Sequence, residues 1–209
     1  SLDSLNKFED RFDKCLIVND FKEEIDKFEN ILIKKEIIHF VSRVSKVSLK
    51  LRQYKKFKIK FIQMSVSFDI FDYQFMKCYL KYKLFNLNIN FTPSSFLKKL
   101  YLKSYSKFKG LEDHLNYKSK FPNTGLLSIF YAAEYLDVKN IFICGLDFYT
   151  ADYVFRSKRA SPLEIQHKKF LDLDLINFFL NFIKEKKDIN FYMLTNYKFS
   201  QKPDNLILL

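Results

Sequence analysis

Asn140-Ile141-Phe142-Ile143-Cys144-Gly145 is the clearest central strand of the chain. Four apolar residues stand in a row without a charge among them, as in a parallel strand covered on both faces, and a glycine closes the run. Just upstream, Thr124 is placed to cap an apolar helix that reaches Leu136. Downstream, Ser161-Pro162-Leu163-Glu164 combines an N-cap, an N1 proline and an N3 glutamate, so a helix is expected to run to about Glu185. Asn190 to Leu194 then reads as a last strand. Toward the amino terminus, Lys14 to Val18, Ile37 to Val41, Ile59 to Met64 and Leu87 to Phe91 read as strands. A helix over Phe21 to Lys34 sets Phe21, Ile25, Phe28 and Leu32 on one face, and further helices are expected near 47–56 and 71–82. Strands interleaved with helices predict an α/β fold with a mostly parallel sheet and flanking helices. Residues 93–120 are the most basic and aromatic segment and read as a lid-like helical stretch; a plain surface helix, a phosphate-facing one and a membrane-facing one all stay open.

The chain has 209 residues, enough to bury roughly 70% of its unfolded surface in one core, so a single domain over 1–209 is expected. Its 25 Phe and 13 Tyr exclude a disordered chain. The longest apolar runs fall short of the roughly 18 residues of a membrane span. The polar stretch Ser1 to Asp10 does not read as a secretory signal. Cys15, Cys78 and Cys144 form no paired framework and are expected to be reduced and buried in a cytoplasmic protein. A net charge of +12 suits nucleic acid, anionic lipid or a phosphorylated ligand. The joint abundance of Lys, Phe, Ile and Asn, with Trp absent, is also what an AT-rich genome supplies, and a solvated Lys-rich surface accounts for much of that charge.

Ligands of parallel α/β sheets bind beyond the carboxyl ends of the strands, near helix N-termini whose free N–H groups attract anions. Three segments are expected to converge there: Phe121-Pro-Asn-Thr-Gly125, then Gly145-Leu-Asp-Phe-Tyr149 with Tyr153, and His167 in the helix capped by Ser161. Together they carry the groups to bind a phosphorylated ligand and move one proton.

The stretch from Phe121-Pro-Asn-Thr-Gly125 through Asn140 to Gly145-Leu-Asp-Phe-Tyr149 resembles the small sialyl motif of sialyltransferases. The order Gly145-Leu-Asp-Phe-Tyr149, Tyr153-Val-Phe155 and His167, with Asp172 five residues on, is closest to the bacterial lipooligosaccharide sialyltransferases and extends the likeness over about residues 121–196. The resemblance implies a Rossmann-like, GT-A-like single domain with a basic lid. It also implies metal-independent, inverting transfer of a sugar from a CMP-activated donor, with no cofactor, in lipopolysaccharide or capsule biosynthesis. On that likeness His167 is the general base, Tyr149 and Tyr153 hold the departing phosphate, and Asn19, Asn123, Thr124, Gly125, Gly145 and Asp147 form the nucleotide site. The implied partners are a nucleotide-sugar donor and a glycan acceptor, with peripheral association with the inner membrane left open and nucleic acid disfavoured.

The amino-terminal half departs from the family pattern. Asn19 runs straight into Asp20-Phe21 where the family has a glycine-rich loop, and Ser42-Arg43 and Gln63-Met64 replace two further asparagines. Side chains there obstruct the approach of backbone to phosphate. A catalytically inactive sialyltransferase-like binding protein, a relative of pterin diphosphokinases and a basic nucleic-acid-binding domain are therefore the alternatives. His39 and His114 read as structural, and Asp147 alternatively as a turn-fixing residue. Asp172 and Asp174, two apart in a helical pattern, do not face a common metal.

Overall fold

The computed structural model describes residues 8–18, 28–41, 57, 59–64, 80, 88–91, 124–146, 148, 173–195 and 197–209. Among them the element order is β1 (Lys14–Val18), α1 (Glu29–Leu32), β2 (Glu36–Val41), β3 (Ile59–Met64), β4 (Asn88–Phe91), α2 (Thr124–Tyr135), β5 (Asn140–Cys144), α3 (Leu173–Glu185), β6 (Asn190–Leu194) and β7 (Leu206–Leu208). The chain divides into two compact units, Leu5–Lys99 and Leu100–Leu209 with Ser1–Ser4. Each carries its own parallel sheet, in the order β1-β2-β3-β4 and β5-β6-β7. The protein is thus mixed α/β with short parallel sheets, compatible with a Rossmann-like arrangement. The sequence predicts one sheet; the described strands form two, and the break falls between β4 and β5, where the connection is longest. Strand β7 is an addition to the expected set. The expected helices near 47–56 and 71–82, the segment 93–120 and the cap at Ser161 lie essentially outside the described residues.

In the Leu5–Lys99 unit, β2 is the middle of the buried layer. Ile37, Ile38, His39 and Phe40 are all at most 1% exposed, so both faces of β2 are covered, as a parallel strand between two others requires. His39 is thus enclosed in a central strand of this sheet. A bulge opposite Ile37 and Ile38 inserts Lys60 into β3 and shifts the register. Phe28 and Leu32 are buried, as the predicted helix face requires, whereas Phe21 and Ile25 lie outside the described residues. Lys35 ties the amino-terminal turn to this layer. Its ammonium donates to the Glu9 carbonyl at 2.6 Å and the Phe12 carbonyl at 2.7 Å, and stands 4.7 Å from the centre of the Phe12 ring.

In the Leu100–Leu209 unit helix α2 lies against β5 and helix α3 packs against α2. Helix α2 buries Leu126, Leu127, Phe130, Tyr131 and Ala132, and α3 buries Ile176, Phe179, Phe182 and Ile183 while Asn177, Asn181 and Lys184 stay exposed. Phe130 joins the helices, with ring centres 5.5 Å from Phe178, edge to face, and 4.3 Å from Phe182. The pair Lys186–Glu134, at 2.8 Å and about three-quarters buried on both sides, ties the end of α3 to α2. Ser128, polar and 4% exposed in an apolar helix, is satisfied by donating to the Gly125 carbonyl at 2.7 Å. No helix among the described residues is long and apolar enough to cross a membrane.

Asn205 closes the carboxyl-terminal side. Its two amide N–H bonds are shared among the carbonyls of Ile183 at 2.9 Å, Lys186 at 2.9 Å and Ile189 at 3.0 Å, the first two of which also accept the backbone N–H groups of Lys186 and Ile189. Asn205→Ala is expected to lower the unfolding free energy by about 1–3 kcal/mol. Asn205→Asp is expected to cost at least as much, because a carboxylate has no N–H to offer three carbonyls. Equilibrium urea unfolding of both variants checks this.

Candidate functional site at the carboxyl end of strand β5

Short loops decide which ends of the elements meet. Residues 136–139 join α2 to β5 and residues 186–189 join α3 to β6, so each helix runs back along the strand that follows it. A twelve-residue helix rises about 18 Å and a five-residue strand about 16 Å, so helix starts and strand ends reach the same level. The described starts of α2 and α3, Thr124 and Leu173, therefore fall on the side of the carboxyl ends of β5 and β6.

Thr124 and Gly125 form the first residues of α2, both half-buried, and Gly145 follows β5 directly. The structure brings these three predicted residues to one end of the unit. Gly145 has φ of 77°, and no atom lies within 4 Å of the place a β-carbon would take. Its requirement for glycine is therefore one of backbone conformation and not of space. His167, Tyr149, Tyr153, Asn19, Asn123 and Asp147 lie outside the described residues.

Three residues on, Phe148 also has a positive φ, 49°, which a bulky L residue adopts only at a cost of about 1–3 kcal/mol. The ring is 5% exposed and is gripped from two elements. Its centre is 5.5 Å from Phe179 of α3, and 5.2 Å and 5.9 Å from Tyr197 and Phe199 in the segment after β6. Tyr197 and Phe199 meet each other edge to face at 4.8 Å. The Tyr197 N–H donates to Oγ1 of Thr195 at 3.0 Å, a side-chain turn that bends the chain back toward Phe148. Sequence reasoning quoted Phe148 inside a motif without giving it a role and passed over Thr195, Tyr197 and Phe199. The available signal was the alternation Tyr197-Lys198-Phe199 immediately after a strand.

Cys144 and Cys15 are in no disulfide, and are half-buried where burial was expected; Cys78 lies outside the described residues. Burial raises the Cys144 thiol above the ordinary thiol range. Farther along α2, Tyr131 stacks on Tyr135 at 5.1 Å, and its phenol is raised first by burial and then by Tyr135. Among the described residues no group of three or more His, Cys, Asp or Glu is placed to hold a metal ion. No family model, curated protein or solved structure matches the chain.

Two expectations follow from this edge. Gly145→Ala should destabilise the protein by about 1–2 kcal/mol, and Gly145→Asn by less, since asparagine tolerates left-handed backbone; thermal melts of the two variants test this order. Cys144 should react with iodoacetamide more slowly than free cysteine at a pH of about 8.5, and its rate should climb only as the pH passes above the ordinary thiol value, because the thiolate is the nucleophile. Peptide mass spectrometry of timed alkylations reads that rate.

Proposed function

We propose that the protein is a nucleotide-sugar-dependent glycosyltransferase of the sialyltransferase type, taking its sugar from a CMP-activated donor. The observation that carries this reading is the pair of positive-φ residues, Gly145 and Phe148, just after β5, in the same unit as the start of α2 at Thr124-Gly125. The turn and the helix start are the two halves of the motif that resembles the small sialyl motif. A helix N-terminus beside a glycine turn offers N–H groups to a diester or monoester phosphate.

In this reading Thr124 and Gly125, with Asn123 before them, receive the nucleotide, with Asn19, Gly145 and Asp147 as the other nucleotide contacts. Tyr149 and Tyr153 donate hydrogen bonds to the CMP phosphate as its bond to the sugar breaks, where donors aimed at developing charge contribute most. His167 accepts the acceptor hydroxyl's proton as the new glycosidic bond forms, a task suited to an imidazole whose ordinary pKa lies near neutrality. Inversion follows from attack on the face opposite the leaving phosphate. The acceptor is a glycan hydroxyl, and the basic charge of the chain suits an anionic donor and an anionic membrane surface alike.

Calorimetric titration with CMP, against ADP and UDP at two salt concentrations, tests the nucleotide half of this proposal. Selective CMP binding that persists in high salt is expected. Equal binding of all three with collapse in salt would instead favour a general polyanion surface. His167→Ala should abolish sugar transfer while leaving CMP affinity nearly intact, since the base acts on the acceptor side; loss of both would assign His167 to structure.

A further inference from the structure

Strand β7 is the outermost described strand on its side of the second sheet, paired with β6 along one edge. Backbone groups of successive residues in a strand point to opposite edges. The Asn205 carbonyl accepts the Phe191 N–H, and the Leu209 N–H donates to the Met193 carbonyl. Residues 205, 207 and 209 therefore turn their backbone groups toward β6, and Leu206 and Leu208 turn theirs outward. This outer edge is accessible, with Leu208 41% and Leu209 45% exposed. An accessible apolar edge is a template for another strand.

The turn before β7 already occupies part of that edge. The Leu206 N–H donates to the Pro203 carbonyl at 3.1 Å, and the Leu206 carbonyl accepts from the Lys202 ammonium at 2.8 Å. Both outward polar groups of Leu206 are thus satisfied from within, one of them by the charge of an exposed side chain. We propose that Lys202 is an edge guard, whose ammonium on the Leu206 carbonyl keeps β7 from pairing with β7 of a second copy of this chain. A second copy is the occupant that fits, because Leu206-Ile-Leu208 is uncharged and complementary to itself. A two-fold axis through Ile207 sets Leu206 of one copy opposite Leu208 of the other in antiparallel pairing. In that register the Leu208 N–H of each copy needs the Leu206 carbonyl of the other, the oxygen that Lys202 holds. Pairing would also bring two ammonium groups to one seam, and lysine on a strand edge opposes association for that reason. None of these residues belongs to the nucleotide-sugar site, so the inference stands apart from that reading.

The test is sedimentation velocity on the full chain over a concentration series, with circular dichroism to establish that each variant is folded. The wild type is expected to stay monomeric. Lys202→Met keeps the apolar stem and loses the donor, and Lys202→Ala loses both. Each should self-associate about tenfold more tightly or better, since two symmetry-related hydrogen bonds become available. Lys202→Arg retains a donor and a charge and should remain monomeric. Lys198→Met removes the same charge from an exposed position nearby and should change nothing. Leu208→Pro deletes an outward N–H that β6 does not use, so adding it to Lys202→Met should restore the monomer. Amide exchange in the peptide spanning 203–209 should slow with concentration in Lys202→Met and not in the wild type. Folded Lys202→Met and Lys202→Ala proteins that sediment like the wild type overturn the guard. Association that Lys198→Met shows equally, or that survives Leu208→Pro, also overturns it, by assigning the effect to lost charge or to another surface. A wild type that already associates, and loses that association in Leu208→Pro, overturns it too.

Discussion

Parallel strands cannot be joined by a tight turn, and this constraint organises both units. Every neighbouring pair here is parallel, so each strand must be followed by chain that travels back to the start of the next. In the Leu100–Leu209 unit α3 makes the return from β5 to β6 on a four-residue lead, 186–189, and α2 enters β5 on a similar one, 136–139, which lines up helix starts with strand ends; the described part of the return from β6 to β7 holds no helix. The alignment of described helix starts with strand ends is thus a by-product of pairing direction. The chemistry proposed for that edge uses what the topology already supplies.

The strands were legible because parallel pairing buries both faces and so selects continuous apolar runs. Lys14–Val18, Ile59–Met64 and Asn190–Leu194 appear with the bounds read from sequence, and β2, β4 and β5 differ by one residue at an end. Strand β7 was missed because Leu206-Ile-Leu-Leu209 is short and follows a polar turn, so nothing local distinguishes it from a tail; its pairing with β6 comes from register with Phe191, Tyr192 and Met193, which is a long-range property. The split into two sheets was likewise invisible, because strand patterns do not state which strand lies beside which.

For the site, the sequence located the edge better than its internal supports. The start of α2 at Thr124-Gly125 was legible as the onset of an apolar helix, and the left-handed Gly145 because such turns have a local residue preference. Phe148 was hidden because a phenylalanine in left-handed backbone breaks the preference that makes such turns readable. Its socket is assembled from residues 31 to 51 positions farther on, and only tertiary structure brings Phe179, Tyr197 and Phe199 to it. Asn205 was silent for the same reason: an asparagine before a short apolar run looks like any turn residue until its three carbonyl partners are in view.

Asn205 has a consequence for the order in which this unit is assembled. It stands directly before β7, yet its partners belong to the end of α3 and the approach to β6. The amide finds its acceptors only when the helix has ended where it should, and the residues that follow it in the chain, β7, pair in register with β6. Helix end, loop and outer strand therefore form one cooperative segment that opens or closes together. A perturbation at the outer strand is carried to the last turn of α3 by a single side chain, whereas the middle of that helix meets the separate aromatic cluster around Phe148 through Phe179.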